Sequence, residues 1–105
     1  MGKADVARYL DVRIEPEFIV DYDKAPSHAK KAVDKLLKIL GCTGQFPNSM
    51  RVHRATATEN VWIGYVTRSR QHWRVMFSIE GSDIVFERLL DHDDADQWLK
   101  WILRT

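Results

Sequence analysis

The sequence predicts one α+β domain with the order β-α-α-β-β-β-β-α, in which a helical hairpin covers one face of a mainly antiparallel sheet and a C-terminal helix follows. Three observations predict it. Two amphipathic helical segments follow a short N-terminal strand. Four predicted strands follow between residues 50 and 90, of which residues 61–67 are rich in β-branched and aromatic residues, and the chain closes with a third amphipathic segment. Helices followed by a run of strands are typical of the α+β class.

Length and composition set the remaining limits. The 105 residues fit one domain over residues 1–105, and residues 1–10 show no period, so we expect them to be flexible. A single cysteine, Cys42, excludes a disulfide framework and fits a reducing compartment. No apolar run approaches the ~20 residues that a membrane span requires. We therefore expect a cytoplasmic protein that does not bind a membrane.

The helical hairpin is predicted from breakers and spacing. Residues 11–15 alternate as a short strand, Pro16 suits the first turn of a helix, and that helix should stop before Pro26. Ser27 is the predicted N-cap of the second helix and Gly41 its predicted end. Apolar residues recur there at three- and four-residue spacing and should pack on the sheet, namely Ala29, Val33, Leu36, Leu37 and Leu40.

The predicted strands span residues 50–54, 61–67, 72–79 and 84–90, and Asp93 or Asp94 should cap the last helix. In the third strand Val75 and Phe77 share the face toward the helices with Trp73 and Ile79, so Arg74 lies on the opposite face. In the fourth strand either alternate set could face the core.

Arginines and histidines concentrate between residues 51 and 92. They are Arg51, His53, Arg54, Arg68, Arg70, His72, Arg74, Arg88 and His92. Residues 48–74 hold five arginines, two histidines and one acid, whereas residues 75–105 hold seven acids and three bases, counting Lys and Arg. This asymmetry predicts a phosphate-binding surface beside an acidic end, although solvated surface charge gives a similar pattern.

Arg74 stands in an otherwise apolar strand. It could pair with Glu87 or Asp91 across the sheet, or its guanidinium could bind two oxygens of a phosphate. His92, at the junction of strand and helix, could be a surface histidine or a general acid, a role that the following aspartates favour.

The other basic residues allow similar alternatives. Arg51 and His53 share a face, whereas Arg54 points to the other face. Arg68 and Arg70, at a predicted hairpin tip, could contact backbone phosphates or belong to a solvated turn. The sequence shows no metal-ligand spacing and no glycine-rich phosphate loop, so we predict neither a metal site nor a cofactor.

Three segments in order resemble the RelE/ParE toxin superfamily of bacterial toxin–antitoxin systems. The first is Val12-Arg13-Ile14-Glu15-Pro16-Glu17-Phe18, followed by Lys24-Ala25-Pro26. The second is His72-Trp73-Arg74-Val75-Met76-Phe77, and the third is Leu89-Leu90-Asp91-His92-Asp93-Asp94 with the trailing Trp98. Together they cover nearly the whole chain.

The resemblance implies the toxin of a type II system, a metal-independent endoribonuclease that cleaves mRNA, commonly in the ribosomal A site. In that chemistry the 2′-hydroxyl attacks the adjacent phosphate and leaves a 2′,3′-cyclic phosphate. The family arginine corresponds to Arg74, which would stabilise the phosphorane, and the family histidine to His92, which would be the acid. A cognate antitoxin protein, mRNA and the ribosome are the implied partners.

The general base is harder to assign from the resemblance. Relatives use a glutamate where this chain has residues 48–51, or lysines where it has residues 65–67. His53 is the predicted substitute, with Glu59 second. Further RNA contacts are predicted at Arg51, Arg54, Arg68, Arg70 and Arg88.

This chain also departs from the family near its end. Acids such as Asp96 stand where many relatives have a tyrosine or a basic residue, and they would repel RNA. Two alternatives therefore stay open, a gyrase poison of the same fold and an inert binding module.

Overall fold

The computed structural model describes residues 8–56, 59–67 and 72–104. In chain order its elements are β1 (Asp11–Ile14), α1 (Pro16–Lys24), α2 (Ser27–Thr43), a 3-10 helix (Asn48–Met50), β2 (His53–Arg54), β3 (Trp62–Tyr65), β4 (Arg74–Glu80), β5 (Asp83–Leu90) and α3 (His92–Arg104). The predicted α+β class and order of elements are confirmed, with the 3-10 turn as an addition.

The five strands form one sheet in the order β1-β5-β4-β3-β2. Neighbouring strands are antiparallel except β1, which runs parallel to β5 and pairs with its first half only, from Asp83 to Phe86. Beyond β1, a carboxylate oxygen of Asp21 in α1 accepts a hydrogen bond from the Leu89 backbone N–H at 3.0 Å. A side chain thus replaces the missing strand at this edge, where an unpaired N–H would be costly.

The α1–α2 hairpin begins as predicted and ends later. Pro16 is the first residue of α1, and Pro26, not Ser27, precedes the first turn of α2. Gly41 lies inside α2, so the predicted end of this helix is wrong by one turn. The helix ends at Gly44, whose left-handed φ of 68° suits glycine and lets its N–H reach the Leu40 carbonyl.

Two apolar clusters lie on opposite faces of the sheet. Val75 and Phe77 face the hairpin with no exposed surface, which confirms the predicted core face of β4. Met76 faces the other way and joins a smaller cluster under α3, together with Ile63, Leu90 and Ala95. Arg74 belongs to this second face by alternation.

A bulge in β5 explains why strict alternation along the sequence could not tell which of its residues face the core. Met76 pairs with Arg88 but Phe77 pairs with Phe86, so Glu87 is an extra residue. Phe86 and Leu89 therefore both contact the hairpin core although they are three residues apart.

Two boundaries near the later site differ from expectation. Residues 50–54 do not form one strand, because Met50 closes the 3-10 helix and Arg51 is left-handed, with φ 50° and ψ 46°. Helix α3 begins at His92, and Asp91 caps it by accepting a hydrogen bond from the Asp94 N–H at 2.9 Å. The predicted caps, Asp93 and Asp94, lie in the first turn instead.

Among the described residues, every helix is too short or too polar to span a bilayer.

Candidate active site

A cleft of about 680 Å³ opens on the α3 face of the sheet, where β2, β3 and β4 meet the start of α3. Five of its eight lining residues are arginines or histidines, and none of the eight carries a carboxylate. The eight are Ser49, Arg51, His53, Tyr65, Thr67, His72, Arg74 and His92. The lining therefore suits an anion rather than a cation.

Arg74 opens β4 and is only 9% exposed. Its Nη1 lies 3.3 Å from a carboxylate oxygen of Asp96, and its guanidinium carbon lies 5.0 Å from the centre of the Tyr65 ring. Its Nε is buried with no hydrogen-bond acceptor among the described residues. The partner is thus Asp96 and not Glu87 or Asp91, and the buried guanidinium keeps one donor unsatisfied.

His92 is half exposed at the first position of α3. Its Nδ1 lies 3.2 Å from Asp93 Oδ1 and 3.7 Å from Asp96 Oδ2. Because an ionised carboxylate only accepts hydrogen bonds, Nδ1 is the nitrogen that donates here. The other ring nitrogen, Nε2, is left to serve a ligand in the cleft.

His53 is oriented in the same way by a neutral partner. Its Nδ1 lies 3.0 Å from the backbone oxygen of Arg51, which accepts and therefore fixes the hydrogen on Nδ1. Its ring stacks on Tyr65 with centroids 5.8 Å apart. In the neutral ring, Nε2 carries a lone pair that can take a proton.

The predicted RNA-contacting arginines fall into three groups. Arg51 lines the cleft and is exposed. Arg54 lies on the face of the sheet that the α1–α2 hairpin covers. Its Nε donates to the Glu59 backbone oxygen at 2.8 Å, and its guanidinium lies over the Trp62 ring. Arg68 and Arg70 lie outside the described residues.

Arg88 also lies away from the cleft. Its guanidinium binds both carboxylate oxygens of Asp21, at 2.7 and 3.1 Å. This hydrogen bonding raises the pKa of Arg88 above its ordinary value. The guanidinium is thus already occupied, and an RNA contact by Arg88 stays a prediction.

Tyr65 and His72 join the cleft although neither is among the predicted site residues. Tyr65 pairs with Arg74 across the β3–β4 register and touches both Arg74 and His53. His72 meets Tyr65 edge-on, with ring centroids 6.4 Å apart. Alternation along the third predicted strand puts His72 on the face of Arg74, but the partner of Tyr65 depends on strand register.

The arrangement suits chemistry on a phosphodiester. It offers a permanent cation at the floor of the cleft and two imidazoles, each with Nδ1 already engaged. Over residues 8–56, 59–67 and 72–104, no three His, Cys, Asp or Glu side chains are placed to share a metal ion. Glu59, the second candidate base, is exposed and is not among the residues that line the cleft.

No family model and no curated protein sequence matches the chain, but solved structures do. In the RelB–RelE antitoxin–toxin complex of Methanococcus jannaschii, the matched chain is 14% identical with a TM-score of 0.68, over 79% of this chain and 93% of that one. YafQ from Escherichia coli is 16% identical with a TM-score of 0.63, over 81% and 96%. YoeB from Staphylococcus aureus is 14% identical with a TM-score of 0.57, over 79% and 97%.

These matches cover nearly the full length of the toxins, and at such identity the likeness concerns the fold. The resemblance inferred from three short sequence segments is therefore confirmed at the level of the fold. The chain has the RelE-like toxin fold that RelE, YafQ and YoeB share.

Proposed function

We propose that this chain is the toxin of a type II toxin–antitoxin pair and that it cleaves mRNA without a metal ion. The observation that carries the proposal is the meeting of Arg74, His53 and His92, from three separate elements, in one cleft whose described lining residues include no carboxylate. The RelE-like fold supports the toxin role, because RelE and YafQ were solved as toxin–antitoxin complexes.

The reaction divides between the two histidines. Nε2 of His53 takes the proton of the ribose 2′-hydroxyl, and the resulting oxygen attacks the adjacent phosphorus. The bond from phosphorus to the 5′-oxygen breaks, and Nε2 of His92 gives that oxygen its proton. The products are a 2′,3′-cyclic phosphate and a free 5′-hydroxyl, so one proton is taken and one is returned.

The partners of the two rings orient them for these roles. His53 rests on a neutral carbonyl, which fixes the hydrogen on Nδ1 and leaves the Nε2 lone pair to take the proton of the 2′-hydroxyl. His92 rests on the carboxylates of Asp93 and Asp96, which accept from Nδ1 and leave Nε2 to serve the leaving oxygen. Each ring thus has Nε2 available for the cleft, and we assign His53 the role of base and His92 that of acid.

Arg74 supplies the charge at the floor of the cleft. The phosphorane carries two negative charges as it forms, and a guanidinium placed in a low-dielectric site stabilises this more than the ground state. The Tyr65 ring beneath it limits its motion. The exposed Arg51 is placed to contact a flanking phosphate, which contributes affinity rather than rate.

The natural partners follow from the same proposal. A cognate antitoxin would bind the toxin and suppress it, as the complexes of RelE with RelB and of YafQ with DinJ suggest. We propose mRNA on the ribosome as the substrate, in the cytoplasm.

Cleavage in a purified translation system tests the function. We expect the wild-type chain to cut mRNA after the toxin stock has been treated with EDTA, leaving a 2′,3′-cyclic phosphate that end-labelling identifies. Arg74→Ala should slow cleavage by about 100- to 1,000-fold, the range known for loss of one transition-state donor. Arg54→Ala, which removes an arginine from the other face, is the matched control and should cleave normally.

Three results would contradict the proposal. Cleavage by Arg74→Ala at the wild-type rate would remove the site from this cleft. A folded wild-type chain that leaves RNA intact but blocks DNA supercoiling by gyrase would be a gyrase poison of the same fold, and one that does neither would be an inert binding module.

A further inference from the structure

Asp96 contacts two of the three proposed catalytic side chains at once. Its Oδ1 lies 3.3 Å from Nη1 of Arg74, and its Oδ2 lies 3.7 Å from Nδ1 of His92. Asp96 is four residues after His92 in α3, so one helical turn stacks the two side chains. A single carboxylate therefore bridges the strand that carries Arg74 and the helix that carries His92.

Asp96 acts from outside the cleft. It is not among the eight lining residues, and it borders instead a groove along α3 with Leu99, Lys100 and Leu103. A substrate in the cleft would touch Arg74 and His92 but meet Asp96 only through them. This placement differs from the sequence expectation, in which the acids near the end of the chain merely repel RNA.

The bridge restricts both partners. Arg74 pairs with no other carboxylate among the described residues, and a buried guanidinium without an anionic partner would be strongly disfavoured. His92 keeps a second carboxylate, Asp93, but Asp93 is 93% exposed and adjacent in sequence. Asp96 is thus the contact that relates the ring of His92 to the position of Arg74.

We propose that Asp96 is a positioning residue of this site, whose one carboxylate holds the Arg74 guanidinium and the His92 ring in the arrangement in which they act on the scissile phosphate. The inference rests on the proposed nuclease function. It assigns Asp96 a favourable role in the rate of cleavage, in spite of the repulsion between its charge and that of RNA.

Four substitutions separate positioning from repulsion, and one of them, Asp96→Glu, keeps the carboxylate on a longer side chain. Asp96→Ala removes both contacts. Asp96→Asn can still accept from Arg74 through its carbonyl oxygen, but its amide N–H₂ cannot accept from His92 Nδ1. Asp94→Asn is the matched control, because Asp94 lies in the same turn and carries the same charge but contacts neither Arg74 nor His92 through its side chain.

Single-turnover cleavage of ribosome-bound mRNA gives the maximal rate and the half-saturating toxin concentration separately. We expect Asp96→Ala to lower the maximal rate by about 10- to 100-fold, the range known for partners that orient metal-ligating histidines. The half-saturating concentration should stay equal or fall, since a negative charge is lost. Asp96→Asn should lose less, Asp96→Glu should recover part of the rate, and Asp94→Asn should keep the wild-type rate.

Nitrogen-15 NMR of the free protein tests the bridge without any substrate. We expect the Nη protons of Arg74 to exchange slowly in the wild type and rapidly in Asp96→Ala, with the His92 Nδ1 resonance shifted between the two. Equal spectra in both proteins would overturn the inference.

The cleavage kinetics give further outcomes that would overturn the inference. An unchanged maximal rate in Asp96→Ala, with a lower half-saturating concentration, would show repulsion alone and overturn the inference while the nuclease function stands. A loss of rate in Asp96→Ala that only equals the loss in Asp94→Asn would also overturn the inference, and the nuclease function would still stand. A wild-type chain that cleaves no RNA would overturn the proposed function, and this inference with it.

Discussion

Arg74 is a buried charge in the apolar face between the sheet and α3. It is 9% exposed, has one carboxylate partner at 3.3 Å, and keeps a buried Nε without an acceptor among the described residues. Replacing such a group by an apolar side chain of similar length is often neutral or stabilising. A buried charge that keeps an unsatisfied donor at the floor of a cleft is typical of a functional site.

Arg74→Met should therefore leave the fold intact. We expect the free energy of unfolding to stay equal or to rise by about 1 kcal/mol, because methionine fills the space without an unsatisfied donor and the half-exposed Asp96 is rehydrated. Urea unfolding measures it. Val75→Ala, at the fully buried next residue, should lose about 2 kcal/mol. A loss at Arg74→Met as large as at Val75→Ala would make Arg74 a structural residue.

Glu87, the extra residue of the β5 bulge, gives stability a dependence on pH. Burial raises the pKa of its carboxyl, the Ser78 hydrogen bond opposes this by less, and the carboxylates of Glu15 and Glu80 raise it further. As pH rises, the unfolded chain ionises Glu87 before the folded chain does. The free energy of unfolding therefore falls through the window between the unfolded and folded pKa values and stays lower above it.

Glu87→Gln removes this titration. We expect the variant to melt at a higher temperature than the wild type at pH 7, where the wild-type carboxylate is ionised at a desolvated position. Below the unfolded-state pKa both proteins are neutral there, so the difference should vanish. Thermal melts from pH 3 to 8 check it, and a difference that persists unchanged at pH 3 would show that packing, not charge, is responsible.

Element boundaries show where sequence reasoning holds and where it fails. Pro16 and the apolar spacing of α2 place the hairpin correctly, since proline geometry and 3.6-residue periodicity are local properties. Gly41 does not end α2, although a glycine inside a helix looks like a terminator in sequence. Which of two nearby glycines is left-handed depends on tertiary contacts, here the contact of Gly44 with the chain at Tyr9.

Alanine substitutions at Gly41, inside α2, and at Gly44, at its end, distinguish the two glycines. Gly44→Ala should lower the free energy of unfolding by more than about 1 kcal/mol, since Gly44 has φ 68° and a Cβ would lie 3.1 Å from the Tyr9 backbone oxygen. Gly41→Ala meets nothing within 4 Å and should raise it by about 0.5–1 kcal/mol. Chemical denaturation of both variants decides, and a reversed order would restore Gly41 as the helix end.

At the scale of the whole molecule, the cleft is assembled from elements distant in sequence. The resemblance of short segments singled out Arg74 and His92, because each lies in a recognisable strand or junction, and both line the cleft. It could not supply Asp96 as the partner of Arg74 or Tyr65 as its neighbour, since both contacts depend on how α3 and β3 pack on β4. Two arginines of the basic block between residues 48 and 74, Arg51 and Arg54, likewise lie on different faces of the sheet, which charge counting does not resolve.

Because Arg51 and Arg54 lie on different faces of the sheet, we expect their loss to affect RNA affinity differently. Arg51 lies in the cleft, whereas Arg54 lies on the hairpin side, engaged with the Glu59 carbonyl and the Trp62 ring. A phosphate contact releases condensed counterions, so its loss reduces the dependence of binding on salt. We expect Arg51→Ala to reduce the slope of log affinity against log salt concentration by about 1 unit, and Arg54→Ala to leave it unchanged.

Binding of the two variants to a non-cleavable 2′-deoxy oligonucleotide, compared at low salt and near physiological salt, measures this without interference from catalysis. Both substitutions remove one positive charge, so a uniform field around the protein would lower the two slopes equally. Equal slopes would mean that RNA is attracted by overall charge and not held in the cleft. A change confined to Arg51→Ala requires the nucleic acid to lie on the α3 face, beside Arg74 and the two histidines.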